Sequence, residues 1–117
     1  MKVKIDTKLE FQDGFKTYNV FGIFANNQLK FREDDTTVVI DLVSSKMIRE
    51  DNDKKIESKF LESTETLNDL YLKSNNYSVK IPIVTELFDL VDNKCTIKYR
   101  LVLEDKIITY LVSWEEM

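Results

Sequence analysis

The sequence predicts an all-β domain, folded as an antiparallel up-and-down barrel of about eight to ten short strands. Apolar and polar residues alternate with period two along most of the chain, as they do in half-buried strands. Tight polar turns separate nine or ten such segments. A chain of this kind has sheet edges to protect, and only closure into a barrel removes them. The long meander of consecutive strands therefore favours a barrel over a two-sheet sandwich.

The first two segments have the pattern of a hairpin. In KVKIDTKLEF, the apolar residues Val3, Ile5 and Leu9 alternate with charged residues. Asp13-Gly14 predicts the turn, because glycine adopts positive φ at little cost. The return strand, FKTYNVFGIFA, is apolar on both faces, so we expect part of its outer face to be covered.

Three short strands follow. LKFRE, between the turns Asn26-Asn27 and Asp34-Asp35, places Leu29 and Phe31 on one side. TTVVIDLV is β-branched, which favours a strand centred on Ile40. KMIRE comes next, after a pair of serines.

The central segments are less regular. KIESKFLE, LNDLYLK and YSVKIPIV have strand spacing, but STETLNDLY and VTELFDLVDN are each also compatible with one turn of helix. Pro82 lacks the N–H that a ladder needs, so we expect it at a sheet edge or a bulge, where the sheet is weak.

The chain ends in two strands, CTIKYRLVL and KIITYLVSWEE, that break at Glu104-Asp105. Cys95 lies in register with apolar neighbours and is interpreted as a buried, inert thiol, and Trp114 as a core or partner contact. The expected interior consists of Phe11, Phe31, Ile40, Phe60, Ile81, Ile97 and Leu101. These bulky groups indicate a mostly filled barrel with at most a small pocket.

Composition narrows the classes of function. The 117 residues suit a single domain spanning 1–117. The net charge of −4, without any basic run, argues against nucleic acid and anionic membrane surfaces as partners. The lone cysteine and the absence of an apolar leader predict a cytoplasmic protein. No apolar run is long enough to span a bilayer.

Few residues offer catalytic or cofactor chemistry. The chain has no histidine, one cysteine and two isolated glycines, which excludes the usual nucleophile–base pairs, zinc sites and phosphate loops. DNDKKIESKFLE begins like a calcium loop, but it has Lys55 and Ile56 where an oxygen ligand and a glycine are needed. Glu33, Asp34 and Asp35 are interpreted as an exposed turn. No catalytic, metal or cofactor residue is predicted.

Arg49 is the main candidate for a site: it shares a face with Met47, and if that face points into the barrel, a guanidinium lies among apolar side chains. A buried charge has to be paired or hydrogen-bonded. Arg49 is then either a structural partner of an inward carboxylate or of main-chain carbonyls, or a group that binds a ligand anion. Tyr99 and Tyr18 are the candidate hydroxyl donors in the same interior.

The order of several motifs resembles a known family. TTVVIDL, MIRED with Arg49, Phe60, Thr66, Tyr71, VKIPIVT and CTIKYRLVL follow one another over roughly residues 36–112. They are similar to the YwiB-like family, small bacterial proteins of unknown function with a calycin-like (lipocalin-like) β-barrel. The family's glycine after the arginine is replaced here by Glu50-Asp51. The resemblance implies a barrel and carries no known activity.

Two hypotheses for function follow, and an enzyme is the third because no nucleophile–base pair is present. The first is a barrel that binds a small molecule, an anion among the options, with Arg49 and Tyr99 as polar anchors. The second is a protein-interaction or homodimer module with a filled core. In that case Ile107 and Leu111 would give the last strand a second apolar face for a partner to cover.

Overall fold

Ten β-strands account for most of the chain in the computed structural model, which describes residues 1–117. The bounds of the strands are β1 Lys2–Phe11, β2 Gly14–Ala25, β3 Gln28–Glu33, β4 Thr36–Asp41, β5 Lys46–Glu50, β6 Lys54–Lys59, β7 Glu65–Leu72, β8 Tyr77–Val91, β9 Lys94–Leu101 and β10 Lys106–Glu116. Both windows that were also compatible with a helical turn are strands, in β7 and β8. No helix of the length and apolarity needed to cross a bilayer is present.

The strands form one closed antiparallel barrel in which each pairs with its neighbours in the chain. The first and last strands complete the ring along a register from Val3↔Glu116 to Glu10↔Thr109. The predicted all-β, up-and-down barrel is therefore confirmed. Turns that follow odd-numbered strands gather at one end of the barrel, named here the Asp34 end. Turns that follow even-numbered strands gather at the other, the Asp92 end.

The interior is a single cluster of fourteen buried apolar residues. Of the predicted interior residues, Phe31, Ile40, Phe60 and Ile97 are buried, and Ile81 and Leu101 are half-buried. Phe11 is exposed, because it is the last residue of β1 and lies beside the turn at the Asp34 end. The full cluster consists of Val3, Ile5, Leu29, Phe31, Val38, Ile40, Met47, Phe60, Ile83, Cys95, Ile97, Tyr110, Val112 and Trp114.

The first turn is a hairpin, as predicted, but the conformation expected of its glycine is wrong. The loop consists of Gln12 and Asp13, and Gly14 already pairs with Phe11 as the first residue of β2. No glycine has a positive φ. Asn26 and Asn27 do, at 53° and 60°, which is the conformation that two-residue hairpins favour because it matches the twist of the flanking strands.

Pro82 lies within β8, opposite Leu67 of β7, rather than on an edge strand. The bulge in this strand falls further along, between Thr85 and Leu87. The carbonyl of Pro82 accepts from the N–H of Val102, just beyond the last residue of β9. The missing N–H therefore falls where the β8–β9 ladder ends, and it removes little pairing.

Gly22 allows β2 to approach β3 closely. A Cβ at this position would lie 2.6 Å from Ile5 Cδ1 and 2.6 Å from the backbone oxygen of Lys30. The oxygen belongs to the neighbouring strand and cannot move without disturbing the ladder. We expect Gly22→Ala to lower the free energy of unfolding by about 2 kcal/mol, measured by urea titration. Gly14→Ala is the control, because its Cβ would meet nothing within 4 Å. Equal stability of the two variants would contradict this account.

Cys95 is a free, buried thiol. Burial, with a smaller contribution from Asp89, raises its pKa from 9.0 to about 11. The folded state then holds this proton more tightly than the unfolded state. Its contribution to stability is complete below pH 9 and is lost as the pH rises towards 11. We expect a thiol reagent at pH 8 to label the unfolded chain quickly and the native protein slowly. Rapid labelling of the native protein would refute the buried, inert thiol.

Candidate functional site

A buried carboxylate lies at the last residue of β3. Glu33 shares the inward face of that strand with Leu29 and Phe31 and is only 3% exposed. The interpretation of Glu33 as part of an exposed turn is therefore wrong, whereas its neighbours Asp34 and Asp35 do form the turn. The burial of Glu33 was predictable from the period-two pattern of β3, because Glu33 lies two residues after Phe31 and therefore on the same, inward face of the strand.

Three side chains donate hydrogen bonds to Glu33. The hydroxyl of Thr7 donates to Oε2 at 2.5 Å, and that of Tyr110 donates to the same atom at 2.8 Å. Arg49 Nη2 donates to Oε1 at 2.8 Å. We name these four residues the Glu33 cluster. It connects β1 and β10, the two strands that close the barrel, to β3 and β5.

The charges of the cluster are balanced within it. Burial raises the pKa of the Tyr110 phenol, and the negative charge of Glu33 raises it further, so the hydroxyl stays protonated and donates. Burial alone would lower the pKa of Arg49, but its neighbours Tyr110 and Glu33 more than offset this and the pKa is raised. The guanidinium also lies 5.5 Å from the centre of the Tyr110 ring, within the range of a cation–π contact. Arg49 is thus paired with an inward carboxylate, as the structural interpretation of this residue predicts.

The two tyrosines predicted beside Arg49 lie in different surroundings. The Tyr18 hydroxyl donates to Asp34 Oδ2 at 3.1 Å, and burial followed by the Asp34 carboxylate raises its pKa. Tyr99 points into the barrel, where its ring centre is 5.3 Å from that of Phe60. Burial raises the pKa of Tyr99, although the Arg49 charge opposes the shift. Neither hydroxyl is hydrogen-bonded to Arg49.

An open depression of about 350 Å³ lies at the Asp34 end and brings Tyr18 and Arg49 together. Tyr99 is not part of its lining. The Arg49 side chain is 24% exposed there, and only its Nη2 atom pairs with a carboxylate. The depression is lined by Leu9, Phe11, Lys16, Tyr18, Glu33, Asp34, Asp35, Thr36, Arg49 and Asp51.

Two other sequence features, the segment that begins like a calcium loop and the apolar outer face of the last strand, are part of the fold's own turns and strands. Asp51 Oδ1 accepts from the backbone N–H groups of Asp53 at 2.8 Å and Lys54 at 2.9 Å, so this carboxylate closes the turn between β5 and β6. Ile107 is exposed and Leu111 is half-buried on the outer face of β10. β1 pairs with Thr109–Glu116 and β9 pairs with Lys106–Ser113, so the middle of this strand has a partner on both sides.

The fold and the Glu33 cluster together describe a closed, ten-stranded antiparallel barrel with a buried, hydrogen-bonded carboxylate near one end. No family model and no curated protein matches the chain. Among solved structures, the crystal structure of the ywiB protein from Bacillus subtilis is similar to it, with a TM-score of 0.58. The alignment covers 99% of this chain and 90% of that one, at 13% sequence identity. At this identity the likeness shows the fold, which is the barrel that the motif resemblance implies.

Replacing Glu33 tests whether the cluster holds the barrel together. Glu33→Gln keeps the size of the side chain but leaves the Arg49 charge without its partner. We expect it to lower the free energy of unfolding by about 3 kcal/mol, because an uncompensated, largely buried charge is costly. The control is Asp69→Asn, which breaks the exposed ion pair with Lys80 and should cost less than about 1 kcal/mol. Denaturant titration of both variants makes the comparison. Similar stabilities would show that the cluster contributes no more than a surface pair.

Proposed function

We propose that the depression at the Asp34 end binds a small polar ligand that carries both a hydrogen-bond acceptor and an amino group. The observation that supports this most directly is that only one nitrogen of the Arg49 guanidinium is paired with a carboxylate. Its Nη2 atom is engaged by Glu33, whereas Nε and Nη1 have no carboxylate or carbonyl partner in the fold. Donors fixed in place by a buried carboxylate are preorganised for an acceptor on a ligand.

The charge of the lining argues for a ligand with a cationic part. Lys16 and Arg49 contribute two positive charges, and Glu33, Asp34, Asp35 and Asp51 contribute four negative ones, which leaves a net charge of −2. A simple anion would meet Arg49 but would be repelled by the aspartates. An amino group would be attracted to them. These carboxylates do not converge as the ligands of a metal ion.

The dimensions of the depression favour a small molecule at the rim of the barrel over a large one inside it. Its volume of about 350 Å³ is at the lower end of the range for ligand sites. Leu9 and Phe11 give it an apolar side, and Tyr18 provides a phenol ring and a hydroxyl. The centre of the barrel is filled by the apolar cluster described above. A cytoplasmic location belongs to the same proposal and is supported by the single, unpaired thiol.

Three probes test which charged groups a ligand needs in order to bind: acetate carries only a carboxylate, methylammonium only an amino group, and γ-aminobutyrate carries both. We expect γ-aminobutyrate to shift the backbone amide resonances of Tyr18, Asp34 and Arg49, because it alone offers both charges. Acetate and methylammonium should shift them much less. ¹H–¹⁵N correlation spectra of the labelled protein measure the effect.

Tyr18→Phe should weaken binding of γ-aminobutyrate about fivefold, since it removes one hydroxyl from the wall of the depression. Tyr77→Phe is the matched control, because this tyrosine is exposed and lies outside the depression. Binding of acetate as tight as that of γ-aminobutyrate would contradict the proposed ligand chemistry. The absence of any shift around Arg49 with all three probes would contradict the site.

A further inference from the structure

One strand extends beyond its neighbour at the Asp92 end of the barrel. β7 pairs with β8 only as far as Glu65↔Val84. After a bulge beyond Thr85, the segment Glu86–Val91 continues as part of β8 and pairs with β9 alone. This segment, named here the β8 edge, is open on the side that faced β7. It is the kind of edge to which a further strand can add.

The backbone of the β8 edge already binds a group in the position of a missing strand. The N–H of Phe88 points away from β9 and donates to the side-chain Oε1 of Glu62 at 3.0 Å. Outward-pointing groups recur every second residue in an antiparallel ladder. The C=O of Phe88 and the N–H and C=O of Leu90 therefore face the same open side. None of them is used by the backbone hydrogen bonds outside the strand ladders.

The side chains of the edge indicate which partner would fit. Leu87, Leu90 and Val91 are exposed, Leu90 by 44% and Val91 by 56%. Acidic residues lie between and beside them, namely Glu62, Glu86, Asp89 and Asp92. The one basic side chain paired with this group is Lys98, 3.6 Å from Glu86. Two apolar residues therefore separate successive acidic ones along this segment, and on the face formed by Leu87, Asp89 and Val91 an acidic side chain lies between two apolar ones.

We propose that the β8 edge takes up an extended segment of another protein in which apolar residues alternate with lysine or arginine. Main-chain hydrogen bonds to Phe88 and Leu90 would supply affinity, and the alternation of side chains would supply selectivity. Because the edge is mainly acidic, charge complementarity favours a partner segment with a positive charge. A second copy of the chain would instead place Glu86 and Asp89 against the same acidic edge, which is unfavourable.

The probe is a short, acetylated and amidated peptide of alternating valine and lysine, and its matched control alternates valine and glutamate. We expect the lysine peptide to bind at least about tenfold more tightly at low ionic strength, and salt to reduce the difference. Shifts in ¹H–¹⁵N spectra should be confined to Glu62 and the β8 edge. Equal binding of the two peptides, no binding of either, or shifts elsewhere would overturn the proposal.

Leu90→Pro tests the backbone contact, because it removes an N–H that the fold does not use. This variant should bind the lysine peptide about tenfold more weakly than the wild type does, and its thermal unfolding temperature should be nearly unchanged. Ile23→Ala is the control, since Ile23 is exposed but its backbone pairs with both β1 and β3, and this variant should bind the lysine peptide as tightly as the wild type does. Undiminished binding by Leu90→Pro would overturn the proposal.

Asp89→Lys gives an independent readout should Leu90→Pro fail to fold. It should reverse or abolish the preference for the lysine peptide, and an unchanged preference would contradict the charge argument. Light scattering of the wild type identifies the competing occupant. A concentration-dependent dimer that Asp89→Lys alters would make a second copy the partner and overturn the proposal of a basic segment.

Discussion

The burial of one negative charge constrains the interior of this barrel. A carboxylate inside an apolar cluster is tolerated only when hydrogen-bond donors replace the water it has lost. Glu33 receives its donors from three separate strands: Thr7 on β1, Tyr110 on β10 and Arg49 on β5. These strands bring their donors together only when the sheet has closed. The electrostatic requirement of Glu33 therefore favours the closed ring over an open sheet of the same strands.

The ion pair between Arg49 and Glu33 bears on both possible roles of Arg49, the structural role and the binding of a ligand. Its charge is balanced by Glu33, so the fold does not need a ligand anion to keep the guanidinium inside. Its position is also fixed, because Oε1 of Glu33 holds one nitrogen and the Tyr110 ring lies beside the group. A rigid donor is better suited to recognition than a mobile one, since less conformational entropy is lost on binding. Structural and binding roles are consequently compatible in this residue.

Local pattern was sufficient to predict most of the strands, since successive side chains in a strand point to opposite faces, but it left parts of β7 and β8 undecided between strand and a helical turn. The full burial of Val3, Ile40 and Ile97 follows directly from that alternation. The need of Arg49 for an inward partner was also predictable from the cost of a buried charge. Glu33 was missed because its acidic neighbours suggested an exposed turn, although its parity matched Phe31. The hydrogen-bond donors to Glu33 on β1 and β10 could not be predicted from the sequence, because contacts across the barrel depend on its closure and not on local sequence.

Closure leaves several strand segments without a neighbour on one side, because the strands differ in length, and the β8 edge shows how one such segment is protected. β8 has fifteen residues and β7 has eight, so part of β8 has no neighbour on one side. Glu62 covers one of the exposed N–H groups, a bulge precedes the open segment, and acidic side chains surround it. Bulges and charges are recognised means of discouraging edges from pairing with their own kind. Because acidic side chains outnumber basic ones here, they discourage copies of this chain while leaving the remaining backbone groups accessible to a positively charged strand.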